Sequence, residues 1–117
     1  MKQNLIYDKS FDFSLKIIEL YKVLIFNKEY VISKQLLRSA TSIGANVTES
    51  TDAQSKKDFI SKLSISSKEA RETKYWLLLL EKSKLVEDID YSSYINDIDE
   101  FMKILTSIIK TSQENIK

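Results

Sequence analysis

The chain contains no cysteine, no histidine and no proline, and its single glycine is Gly44. Each absence removes a class of fold or chemistry. Without cysteine there are no disulfides, thiolate metal sites or cysteine nucleophiles, and the expected setting is intracellular. Without histidine there is no Ser-His-Asp system, no ordinary general base at neutral pH and no imidazole for a metal. A di-iron bundle needs a Glu-x-x-His pair on each of two helices, which this composition rules out. One glycine cannot supply a phosphate-cradling glycine loop. Sheets and turn-rich folds rely on glycine and proline as punctuation, so their scarcity predicts a few long helices with short links.

Long apolar runs are missing too. The longest uninterrupted one, Trp76 to Leu80, falls far short of the roughly 20 residues that span a bilayer. The first residues lack the apolar core of a secretion signal. The expectation is a cytoplasmic protein with no membrane partner. A net charge of +1 exerts no global pull on nucleic acid or anionic lipid. With 117 residues and 43% apolar content, the chain is expected to form one domain, 1–117, with a real core.

What is present is helical periodicity. Between residues 55 and 84, Phe59, Leu63, Ser66, Ala70, Thr73, Leu77 and Leu80 recur in alternating steps of four and three. This heptad seam buries one stripe of a long helix against its neighbours. It is bulky at both ends and narrow in the middle, where Ser66, Ala70 and Thr73 let another backbone come close. Ser55 followed by Asp58 resembles a capping box that opens this helix, and Lys82 and Lys84 complement the dipole at its end.

A first helix is expected over about 10–26. Its apolar residues include Phe11, Leu15, Ile18, Tyr21 and Ile25, with Phe13, Ile17, Leu20 and Leu24 on an adjoining stripe. That arc is wider than a surface helix carries, and Asn27 and Lys28 suit the break after it. A second helix over about 29–49 places Ile32, Leu36, Ala40, Ile43 and Val47 on one face. Gly44 lies inside it at a cost of about 1 kcal/mol relative to alanine, which suggests close packing or a bend. A fourth helix follows the acidic segment around Glu87 to Asp90, with Tyr91, Ile95, Ile98, Met102, Leu105, Ile109 and Ile116 on its face. Four helices with short links predict an all-α, antiparallel up-down-up-down bundle.

No catalytic constellation is visible, so the expectation is a non-enzyme without metal or cofactor. Paired carboxylates, Glu69 with Glu72 and Asp97 with Glu100, are the candidates for Mg²⁺ or acid–base work, and a solvated face is the better explanation of such pairs. Charge is unevenly spread. Residues 53–84 carry eight basic and four acidic side chains, whereas 85–102 carry six acidic and no basic ones. A basic ridge of Lys56, Lys57, Lys62, Lys68, Arg71 and Lys74, with Arg38 from the second helix, is one reading, and its partner would be RNA or DNA. Ion pairing with the fourth helix or a neighbouring subunit is the other.

Tyr75 and Trp76 suit either base stacking or packing against the four leucines that follow. Leucines at 77 to 80 cover every direction of the helix, so Trp76, Leu78 and Leu79 call for an additional covering, and self-association is the simplest. Ser42, Asn46 and Glu49 share a polar face of the second helix. Either they hydrogen-bond within and between helices, or they contact a ligand or protein partner.

The run from Gln35 to Glu49, with Arg38, Ser42, Asn46 and Glu49, resembles the signature helix of the four helix bundle protein family. That family includes proteins encoded in intervening sequences of bacterial large-subunit ribosomal RNA genes. The runs Ser55 to Phe59 and Lys68 to Leu77 look like the following helix of one branch. The resemblance implies an antiparallel four-helix bundle assembled as a homopentamer around a central axis, without established enzymatic activity. A related accessory factor of diversity-generating retroelements is similar in fold and binds nucleic acid and a reverse transcriptase through a basic surface. Two departures stand out: Gly44 occupies a position where many members have proline, and this chain is near neutral where the retroelement branch is strongly basic.

Overall fold

The computed structural model describes residues 2–116, with side chains from residue 5 onward. Four helices account for nearly all of it: α1 (Lys2–Phe26), α2 (Ile32–Ser50), α3 (Lys56–Ser83) and α4 (Ser92–Glu114). Each packs on two neighbours, α1 on α2 and α4, and α3 on α2 and α4, which closes a square up-down-up-down bundle. The molecule measures 50 × 20 × 20 Å. No helix among the described residues is long and apolar enough to cross a membrane.

Each helix end has a local cause. At the end of α1, Lys28 takes φ 67°, its N–H bonds the Ile25 carbonyl at 2.9 Å, and the Glu29 N–H bonds the Leu24 carbonyl at 2.9 Å. These two bonds are the pattern of a Schellman stop. Glu29, expected to lie inside the second helix, instead precedes it. Its carboxylate accepts from the N–H groups of Val31, Ile32 and Ser33 and so satisfies the open donors of α2. Ser55 caps α3 by accepting from the Asp58 N–H at 3.0 Å, while Asp58 reaches back to the Gln54 N–H. Lys84, at φ 57°, ends α3.

The seam of α3 is as its spacing suggests: Leu63, Ser66, Ala70, Thr73, Leu77 and Leu80 are all buried, and Phe59 is half-buried. On α2, Leu36, Ala40, Ile43 and Val47 face inward. Three expectations need correction. The first helix begins eight residues earlier than position 10, at Lys2, because Ile6 continues the inward stripe of Phe13, Ile17, Leu20 and Leu24. Of the two apolar stripes on α1, that one alone forms core; Phe11 and Leu15 are 54% and 50% exposed. On α4, Phe101 and Ile108 join Tyr91, Ile98 and Leu105 in the core, and Ile116 lies beyond the helix and is exposed.

α2 and α3 share the most extensive interface, and small residues make it so. Ala40 and Ser39 face Ala70, Ser66 and Thr73, all fully buried. Hydroxyls stitch the contact: Ser66 Oγ donates to the Ile43 carbonyl at 3.0 Å, and the Thr73 and Ser39 hydroxyls bond at 2.9 Å. Replacing Ala70 with leucine is expected to cost about 1–3 kcal/mol by overpacking this line, read from chemical denaturation.

Gly44 is less constrained than its position suggests. A Cβ there would meet Ser10 Oγ and Ser14 Oγ at 3.5 Å, ordinary van der Waals contact, and its backbone is helical. Gly44→Ala is therefore expected to stabilise the protein by about 0.5–1 kcal/mol through helix propensity. A loss of stability in the same denaturation measurement would show that α1 cannot accommodate the methyl group.

Candidate functional site

Antiparallel register carries Arg38 of α2 over two carboxylates of α3. Its guanidinium bonds Glu69 at 3.0 Å and, through its other terminal nitrogen, Glu72. Glu69 and Glu72 are three residues apart on a helix and so lie on one face. Glu72 also accepts the indole N–H of Trp76 at 3.0 Å, and the Trp76 ring meets that of Tyr75 edge-on at 5.0 Å. The result is a continuous polar latch along the outside of the α2–α3 interface: Glu69, Arg38, Glu72, Trp76.

The electrostatics follow from these contacts. The Trp76 N–H, seconded by the Arg38 guanidinium, holds the Glu72 carboxyl below its ordinary range. The Glu72 hydrogen bond raises Arg38 further above neutrality. A carboxylate held ionised by an arginine and an indole is a poor proton acceptor at neutral pH. The pair that sequence left open to Mg²⁺ or acid–base work thus converges on a guanidinium. Asp97 and Glu100, the other such pair, bond Lys16 and Lys9 of α1.

The structure divides the seven basic residues of the expected ridge. Arg38 belongs to the latch, Lys62 pairs with Glu49 of α2 at 3.2 Å, and Lys74 with Asp99 of α4 at 2.7 Å. Those three are inter-helix ties. Lys57, Lys68 and Arg71 are exposed on the outer face of α3 and form no ion pair among the described residues. Lys56 lies apart, at the end of the bundle on the wall of a cavity. Of the polar signature residues, Asn46 donates to the Ser42 carbonyl at 2.9 Å and Glu49 is the partner of Lys62. Trp76, Leu78 and Leu79 are half-buried, and Tyr75 is exposed. Excess apolar surface is therefore larger on α1 than at the leucine run, where it was expected.

Comparison with known proteins places the chain. The profile of the 23S rRNA-intervening sequence protein family matches residues 2–107. The chain belongs to this family. A crystal structure of a protein of unknown function from the S23 ribosomal protein family of Bacteroides thetaiotaomicron is 52% identical, with a TM-score of 0.90 over 94% of this chain and 99% of that one. No curated protein matches. Family membership accords with the resemblance read from the second and third helices, and it attaches no chemistry to the latch.

Trp76 is the single tryptophan, so its fluorescence reports on Glu72. Because the folded pKa of Glu72 is lowered, its contribution to stability is complete above the ordinary carboxylate range and is lost as pH falls through the lowered value. An acid titration should show a Trp76 emission change below the ordinary glutamate range, absent in Glu72→Gln. A transition that is unchanged in Glu72→Gln would disconnect the indole from this carboxylate.

Proposed function

We propose that this protein is a non-catalytic, self-assembling four-helix bundle that serves as an interaction scaffold. The observation that carries this reading is the outward stripe of α1. Tyr7, Phe11 and Leu15 follow one another at four-residue steps and are exposed, with Ile18 half-buried three positions on. The rings of Tyr7 and Phe11 stack at 6.3 Å. An ordered apolar row on a chain otherwise well supplied with charge is a surface that another protein surface covers. A second copy is the simplest cover, because every copy brings the same row. Assembly as a pentamer is the form that the family resemblance implies, and the cytoplasm is the setting we propose for it.

Native mass spectrometry of the purified chain is expected to show an oligomer at micromolar concentration. Phe11→Glu combined with Leu15→Lys should convert it to monomer while leaving helical circular dichroism intact. A wild-type monomer at that concentration would reject the reading.

A second reading, an RNA- or DNA-binding accessory protein, is favoured by one feature: Lys57, Lys68 and Arg71 stay unpaired on an outer face that also presents Tyr75. Three cations are a small electrostatic footprint, so affinity should be weak and fall steeply with salt. Glu substitutions at these three positions should abolish binding to structured RNA, whereas the same change at Lys62 or Lys74 should mainly lower stability. Binding that is insensitive to salt would refute the ridge.

A further inference from the structure

Where α2 turns into α3, a cavity of about 450 Å³ lies between all four helices. That volume falls within the range of about 300–1,000 Å³ typical of small-molecule sites. Its inner wall is core: Ile6, Val47, Leu63 and Ile108 are buried and line it together. Its rim is polar, with Lys56, Ser55 and Thr51 from the connection and the first turn of α3. Two polar groups on its wall have no partner among the described residues. Lys56 forms no ion pair. Ser112 of α4 is only 8% exposed and lines the cavity, and its hydroxyl makes no hydrogen bond to another described residue.

The start of α3 adds to the positive character of the rim. Ser55 Oγ takes the Asp58 N–H, and the Ser55 carbonyl takes that of Phe59. The amides of Lys56 and Lys57, ahead of them, are left at the positive end of a 28-residue helix. A single lysine beside Asp58 does not suit a polyphosphate, whose several charges need more cations than this. One negative charge joined to an apolar body fits both halves of the cavity.

We infer that this cavity binds a monoanionic amphipathic carboxylate of the medium-chain aliphatic class. The carboxylate sits at the rim with the Lys56 ammonium and the first amides of α3. The chain lies on Ile6, Val47, Leu63 and Ile108, where it replaces water with apolar contact. Ser112 gives its otherwise unpartnered hydroxyl to the bound molecule. The site is distinct from the latch and from Lys57, Lys68 and Arg71 on the outer face of α3, and it needs neither.

The test uses the full chain with methyl groups labelled for NMR, titrated with sodium decanoate below its micelle concentration. Saturable shifts are expected at the methyls of Ile6, Val47, Leu63 and Ile108. Affinity should drop at least tenfold in Lys56→Glu and severalfold in Ser112→Val, with decanol binding at least tenfold more weakly than decanoate. Lys56→Gln serves as a milder variant and should weaken binding in the same direction. Shifts confined to Leu15 and Ile18 of the outward α1 stripe, equal binding of decanol, or undiminished affinity in both Lys56 variants would overturn the assignment. So would the absence of any saturable shift. Because the readout is local, none of these outcomes depends on whether the chain assembles.

Discussion

The bundle depends on the close approach of α2 and α3. Two helices can pack this tightly only where side chains at the crossing are small, and here Ser39, Ala40, Ser66, Ala70 and Thr73 are all fully buried. Small residues bury little apolar area each, so the contact gains instead from backbone proximity and many dispersion contacts. It also buries hydroxyls, which must be satisfied in place. Ser66 reaches the Ile43 carbonyl, and Thr73 meets Ser39 and the Glu69 carbonyl. A one-turn slip between the helices would strand these hydroxyls, so polarity in the seam makes the register specific as well as close.

That register explains the surface above it. Ser39 opposite Thr73, Arg38 opposite Glu72, Ile43 opposite Ser66 and Glu49 opposite Lys62 all belong to one antiparallel alignment, since the numbers in each pair add to nearly the same total. The latch is thus a consequence of the buried contact one residue beneath it. The same logic allots the acids of α4. Asp97 and Glu100 turn to Lys16 and Lys9 of α1, and Asp99 turns to Lys74 of α3. An acidic segment that looks unbalanced in isolation lies between two helices that supply its cations. Exposed pairs of this kind each contribute little, about 0–1 kcal/mol, so their effect is on pairing and orientation more than on stability.

The fold was legible because each helix announces itself by spacing and by how it starts or stops. The α3 seam, the Ser55 cap and the break at Asn27 and Lys28 are local patterns, and local patterns survive in one dimension. Glu29 was harder to place: a glutamate that caps the next helix from outside looks the same as one in its first turn. The candidate site was legible only in pieces. Arg38, Glu69, Glu72 and Trp76 each stood out in sequence, but Arg38 was grouped with the cations by charge rather than with the carboxylates by register. Knowing that Ala40 must oppose Ala70 would have brought them together. Nor could periodicity decide which stripe of α1 faces inward, since both are apolar and helically spaced. The choice is set by where α2 and α4 sit.

Those neighbours also explain why the outward stripe of α1 stays uncovered within one chain. Ser10 and Ser14 lie against Gly44 of α2, and Lys9 and Lys16 reach across to α4. Both flanks of α1 are therefore taken, and its inward stripe is core, which leaves Phe11 and Leu15 pointing away from every other helix of the chain, with Tyr7 beside them at the edge of the cavity between the helices. Rotating α1 to bury them would expose Ile17, Leu20 and Leu24, each now fully buried, and would break the lysine bridges. The bundle has no internal way to improve. Within one chain that surface stays uncovered, and it is more exposed than the leucine run of α3, where Leu77 and Leu80 are buried and Leu78 and Leu79 are half inside.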